Sequence, residues 1–158
     1  MNASSELIRD VFAKVLEKQV FIFADESSAD DLPEGDGDWV EARMSFHGPF
    51  GGSLSLAMPK VAELDIAANF LGKDADDPEV IKCAEDSLKE ILNVVCGHIL
   101  TALAGEEPIF DLSIPKVHPL SENDRIALAA LPGALAFDME GKPVILRFHL
   151  PDSDPEGA

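Results

Sequence analysis

The stretch DPEVIKCAEDSLKEILNVVCGHILTALAG, Asp77 to Gly105, decides how the rest of the chain is read. Asp77 is a capping residue, Pro78 suits the first helical position, and Gly105 stands where a helix ends in a left-handed residue. The spacing predicts one long helix. At about 100° per residue, Ile81, Ala84, Leu88, Ile91, Leu92, Val95, Ile99 and Ala102 fall on one side, which is expected to be buried. Asp86, Glu90, Asn93 and Gly97 fall within a wedge of roughly 60° nearly opposite and are expected to face outward.

An acid alone on that face would be an ordinary helix-surface residue. Asn93 is a poorer fit, because its side chain competes with the helix backbone for hydrogen bonds. Gly97 costs roughly 1 kcal/mol relative to alanine inside a helix, which makes sense where another surface must come close. That surface is either a neighbouring helix of the same chain or a partner, and the spacing leaves both open.

Glu90-x-x-Asn93-x-x-x-Gly97, with Asp86 one turn before it and Pro115 after it in Asp111-Leu112-Ser113-Ile114-Pro115, resembles the signature of CheX- and CheC-type chemotaxis phosphatases, closest to CheX. The likeness is sharpest over residues 78–115. Gly51-Gly52-Ser53-Leu54-Ser55-Leu56 and the helix after it look like the family's turn, strand and second helix. In that family the acid and amide reach from a long helix into the active site of a phosphorylated receiver domain such as CheY. The resemblance implies a CheC-like layered α+β fold, with a mostly antiparallel sheet packed by three helices, one of them long and central. It implies that Glu90 and Asn93 are catalytic, Asn93 orienting the attacking water and Glu90 pairing with the receiver's lysine. Asp86 and Gly97 would contact that partner. Mg2+ is expected in the receiver, and no metal is assigned to this chain. CheC-type relatives can carry a second acid–amide motif on the first helix, but here Glu6 is followed three residues later by Arg9, so only one site is expected. Motor-switch proteins are similar to the same family. The alternative is therefore a non-enzymatic docking or oligomerisation module, with Leu100 and Cys96 at the edge of the outward face available to a homodimer.

The 158 residues are enough to bury a core, and residues 1–150 read as one CheX-like domain followed by an acidic tail, 151–158, expected to be disordered. Twelve basic residues against thirty acidic ones give a formal charge of −18, which disfavours nucleic acid and anionic membrane surfaces as partners. Much of the acid is concentrated in Asp25–Asp38, Asp74–Asp77 and the tail, where it keeps loops solvated. The N-terminus lacks the basic start and apolar centre of a signal peptide, and no apolar run reaches the roughly 20 residues of a membrane span. A cytoplasmic protein is expected. Cys83 and Cys96 lie about 20 Å apart along the long helix and cannot bond within it, which suits a reducing compartment.

Along the chain, Ser4 or Ser5 caps a first helix carrying Leu7, Ile8, Val11, Phe12, Val15 and Leu16 and ending near Lys18. Strands are expected at Val20–Ala24, Trp39–Phe46, Ser53–Met58, Ile109–Ile114, Arg125–Leu131 and Pro143–Leu150. Pro59 opens a second helix with Val61, Leu64, Ala67, Ala68 and Leu71 as its apolar stripe, closed by Gly72. Residues 30–41 match a calcium loop only in part. Leu32 stands at a ligand place, and the flanks read as strands. The four histidines, His47, His98, His118 and His149, show no metal-ligand spacing, and no nucleophile-elbow or nucleotide-binding pattern occurs.

Overall fold

A computed structural model describes residues 4–28 and 37–151. Its elements run α1 Ser5–Val20, β1 Ala24–Ser27, β2 Trp39–His47, β3 Gly52–Pro59, α2 Lys60–Leu71, α3 Pro78–Ala104, β4 Asp111–Leu112, β5 Lys116–Leu120, α4 Glu122–Ala130, β6 Ala134–Met139 and β7 Lys142–His149. The strands form one antiparallel sheet in the order β1-β6-β7-β3-β2-β4, with β5 also paired to β2. The expected α+β layering is present.

The period of two along the strands sorts the side chains between faces. Val40, Ala42, Met44 and Phe46 of β2, Leu54 and Leu56 of β3, and Val144 and Leu146 of β7 share one core with Phe12 and Leu16 of α1, Ile66 of α2 and Leu88, Ile91, Leu92, Val95 and Ile99 of α3. Within it the Phe12 and Phe137 rings lie 4.7 Å apart. Three helices thus cover one face. On the other, α4 sets Leu128 against Trp39, Ala57 and Ile145 in a smaller cluster.

Among the described residues there are four helices and seven strands, where the sequence pattern suggests three and six. Arg125–Leu131 is not a strand. Ser121 caps α4 by accepting a hydrogen bond from the Asp124 amide at 3.1 Å, and the alanine- and leucine-rich run after it favours helix. Val20–Ala24 is also corrected, because α1 runs on to Val20 and stops where Phe21 adopts a left-handed φ of 56°. Of Ile109–Ile114 only Asp111–Leu112 pairs in the sheet. Pro115 is buried between β4 and β5, and its missing N–H marks the break between them. Ser113 bridges that gap, its amide donating to the Ser45 carbonyl at 2.9 Å and its hydroxyl accepting from the Ser45 amide at 2.8 Å. β5 and β6 were not anticipated. β6 and β7 form a hairpin whose Glu140 and Gly141 have φ of 52° and 91°, the sense that two-residue hairpin turns require.

The helix faces also need correction. In α2, Ala67 and Ala68 are buried as expected, but Val61 and Leu71 are exposed, and Ala62 and Ile66 are buried instead. In α3, Ile81 is exposed because the first turn packs through Val80 and Ala84 onto Ala67 and Ala68. Glu63 of α2 is buried at 1% exposure, and its Oε2 has no hydrogen-bond partner. Burial pushes its carboxyl up from the usual 4.5, Lys60 pulls it back, and Glu85 adds to the rise.

Of the acidic segments, residues 29–36 and 152–158 lie outside the described residues, and with them most of the calcium-like spacing and of the tail. Glu41, at the twelfth place of that spacing, sits in β2 with its Oε1 2.7 Å from His118 Nε2.

Candidate functional site

The site is built on α3, the longest helix. The Asp77 side chain accepts from the Glu79 amide at 2.8 Å, Pro78 follows, and the helix ends at Gly105 with φ 85°. Between those ends, ten residues from Val80 to Leu100 are buried and hold the helix against α1, α2 and the sheet. By length and composition α3 would also qualify as a membrane span, a test that the core helix of a soluble protein passes equally. Here its apolar side is largely covered by the chain itself.

Opposite that side the helix presents the polar stripe. Asp86 and Glu90 are exposed, while Asn93 and Gly97 are half-buried. All four therefore reach the surface of one rigid element, with Glu90 and Asn93 about 4.5 Å apart along the axis. Asp86, Glu90 and Asn93 make no side-chain hydrogen bond or ion pair among the described residues. Their polar atoms are not engaged by the fold.

Gly97 separates the two readings its position left open. A Cβ built there meets nothing within 4 Å, so no neighbouring helix requires the glycine. The space beside it is a groove of about 640 Å³ between α1 and α3, lined on α3 by Gly97, His98, Thr101 and Ala102 and on α1 by Val11, Lys14, Val15 and Lys18. This explains why Ala102 is exposed instead of buried. No sequence pattern points to this groove, although Lys14 and Lys18 at i, i+4 share one turn-spaced surface.

Cys96 and Leu100 do not edge the outward face. They are buried at 0% and 3% exposure in the chain's own core, so neither is available to a dimer seam. Burial pushes the Cys96 thiol up to about 12, which leaves it protonated and unreactive. Glu6 is exposed on α1, and Arg9 Nε lies 3.5 Å from Glu26 Oε1 of β1. Among the described residues no group of three or more His, Cys, Asp or Glu side chains is placed to hold a metal ion.

A long core helix with an outward acid, amide and glycine, flanked by a mostly antiparallel sheet, invites comparison with known proteins. The chemotaxis protein CheX from a Desulfovibrio desulfuricans subspecies superposes with a TM-score of 0.67 at 20% identity, over 92% of this chain and 97% of that one. A CheX-CheY-BeF3-Mg complex from Borrelia burgdorferi gives 0.65 at 19% identity, over 94% and 99%. A CheC-like superfamily protein from Shewanella sp. PV-4 gives 0.62 at 21% identity, again over 94% and 99%. At such identities the likeness speaks for the fold. Curated protein sequences return no match. The sequence pattern of the chemotaxis phosphatase CheX family matches residues 40–129, more than half of the chain, from β2 through the polar stripe into α4, and on that match the chain belongs to the CheX family.

Proposed function

We propose that this chain removes the phosphoryl group from the aspartyl phosphate of a CheY-like receiver domain, with Asn93 and Glu90 as its catalytic pair. The family is one of chemotaxis phosphatases, and one solved relative is a complex of CheX with CheY, beryllium fluoride and magnesium. The observation that carries the reading is the state of the stripe. An acid and an amide one turn apart, on a helix fixed by its buried side, have no partner among the described residues.

In the reaction, water attacks phosphorus in line with the aspartyl oxygen. A new O–P bond forms, the P–O bond to the aspartate breaks, and inorganic phosphate, a free carboxylate and a proton result. Phosphoryl transfer of this kind passes through a loose transition state, so positioning and charge compensation matter more than a strong base. The Asn93 amide supplies positioning. Its carbonyl oxygen accepts from the water and its NH2 donates, which holds the nucleophile on the attack line. Glu90 would repel a phosphoryl group if it stood alone against it. Paired with the receiver's lysine it forms a charge-assisted contact that fixes the register of Asn93 and disfavours partners lacking the lysine. Asp86 adds a polar contact at the rim, and Gly97 lets the receiver's backbone approach. The magnesium belongs to the receiver, and the reading puts both proteins in the cytoplasm.

The test is loss of radiolabel from a phosphorylated receiver of the same cell, with wild type, Glu90→Ala and Asn93→Ala. Wild type is expected to accelerate the loss, and Asn93→Ala to abolish the acceleration. Wild-type rates in Asn93→Ala would overturn the assignment. A receiver that binds but keeps its phosphate would make the helix face a docking surface instead.

A further inference from the structure

We infer that the groove between α1 and α3 is a second contact for the receiver, taking an apolar side chain of the partner flanked by carboxylates. The inference rests on the proposed function and adds a specificity surface to the same site.

Position is the first argument. Gly97 belongs to both the polar stripe and the groove wall, so the two are continuous. Gly97 to Ala102 lie four to nine residues beyond Asn93, about 6–14 Å along the helix at 1.5 Å per residue. A stable protein interface covers about 800 Å² on each partner, equivalent to a disc of about 16 Å radius. A receiver centred on Asn93 therefore lies over the groove.

Chemistry is the second. The wall is largely apolar, with Val11 and Val15 from α1 facing Ala102 from α3. Lys14 and Lys18 line it as well, whereas Glu106 is the one acid among the lining residues. In a chain with thirty acids and twelve bases, neither lysine forms an ion pair among the described residues. Like charges at i, i+4 are also mildly unfavourable on an isolated helix. Two adjacent cations without acid partners, beside an apolar hollow, complement an acidic surface on another molecule. A receiver that holds Mg2+ needs oxygen ligands, chiefly carboxylates, around its phosphoryl site. This chain, at −18, would otherwise repel such a surface, and the lysines place the attraction where the partner must sit.

The test pairs two variants. Lys14→Glu/Lys18→Glu reverses the charge, and Thr101→Trp fills the hollow with charge unchanged. Dephosphorylation of the labelled receiver gives kcat and KM, and titration with receiver carrying beryllium fluoride and Mg2+ gives affinity at low and physiological salt. The double reversal is expected to raise KM and weaken binding about tenfold, with kcat within about twofold and most of the salt dependence lost. Thr101→Trp is expected to raise KM without changing the salt slope. Unchanged KM and affinity in both variants would overturn the inference, while Asn93-dependent wild-type turnover would leave the proposed function standing. Weakened binding in both variants with no wild-type turnover would keep the groove and remove the phosphatase.

Discussion

α1 and α3 lie against each other and use their polar residues in opposite ways. Near the start of α1, Arg9 is turned back toward the sheet, with its Nε 3.5 Å from Glu26. On α3, Asp86, Glu90 and Asn93 meet no partner among the described residues. The fold uses Arg9 to join a helix to an edge strand, whereas α3 is already held by its buried side and leaves its polar stripe available. The acid–amide face is therefore expected to be dispensable for stability and to matter for activity.

Asn93→Ala should lower the receiver's dephosphorylation by about 10²–10³-fold, the scale of losing a positioned catalytic group. Its unfolding free energy from urea denaturation should stay within about 0.5 kcal/mol of wild type, as for a surface change away from caps and core. Glu90→Gln should lose less, chiefly in KM. Equal losses of stability and activity in Asn93→Ala would break the contrast, because the stripe would then be holding the fold.

A third polar group tests the contrast from inside. Glu63 is neither paired like Arg9 nor exposed like Glu90, and burial raises its carboxyl above 4.5. The folded state therefore holds a proton that the unfolded state has released between 4.5 and the raised value. Stability contributed by this group is present below that window and falls as pH rises through it. Glu63→Gln, which stays neutral, should be more stable than wild type by urea denaturation at pH 7 and should approach it near pH 4. A pH-independent difference would mean that the carboxyl is not titrating in the fold.

Gly97→Ala should separate stability from binding. With nothing within 4 Å of the added methyl, the helix should gain up to about 1 kcal/mol, which is about 2–4 °C in Tm for a chain of this size. The same methyl stands where the receiver must approach, so affinity should fall. A stabilised variant with wild-type affinity would leave the glycine without a functional account.

What the sequence revealed follows from where one physical signal dominated. α3 was legible because Asp77, Pro78 and Gly105 punctuate a strong helical period. The stripe was legible because glycine and asparagine are costly there. The ends of α2 were legible in Pro59 and Gly72, but its buried face was only partly so, since alanines surround its axis and the period does not single out Val61 from Ala62. The Arg125–Leu131 segment was misread because short apolar runs fit helix or strand, and only the Ser121 cap decided for helix. The groove left no mark of its own in the sequence. It depends on how far α1 stands from α3, which no local pattern records.

Arg9→Ala should have the mildest consequence. The Arg9–Glu26 pair is half-exposed, with side chains 30% and 65% accessible, and the buried Nε makes no hydrogen bond despite lying within ion-pair distance. Such pairs contribute about 0–1 kcal/mol. Removing the arginine should lower the unfolding free energy from urea denaturation by no more than that and should leave kcat and KM for the receiver at wild-type values. Because Glu6-x-x-Arg9 stands where relatives can carry a second acid–amide motif, a large fall in kcat at unchanged stability would mean that α1 takes part in the chemistry, and the division between a helix tied into the fold and a helix left open to a partner would no longer hold.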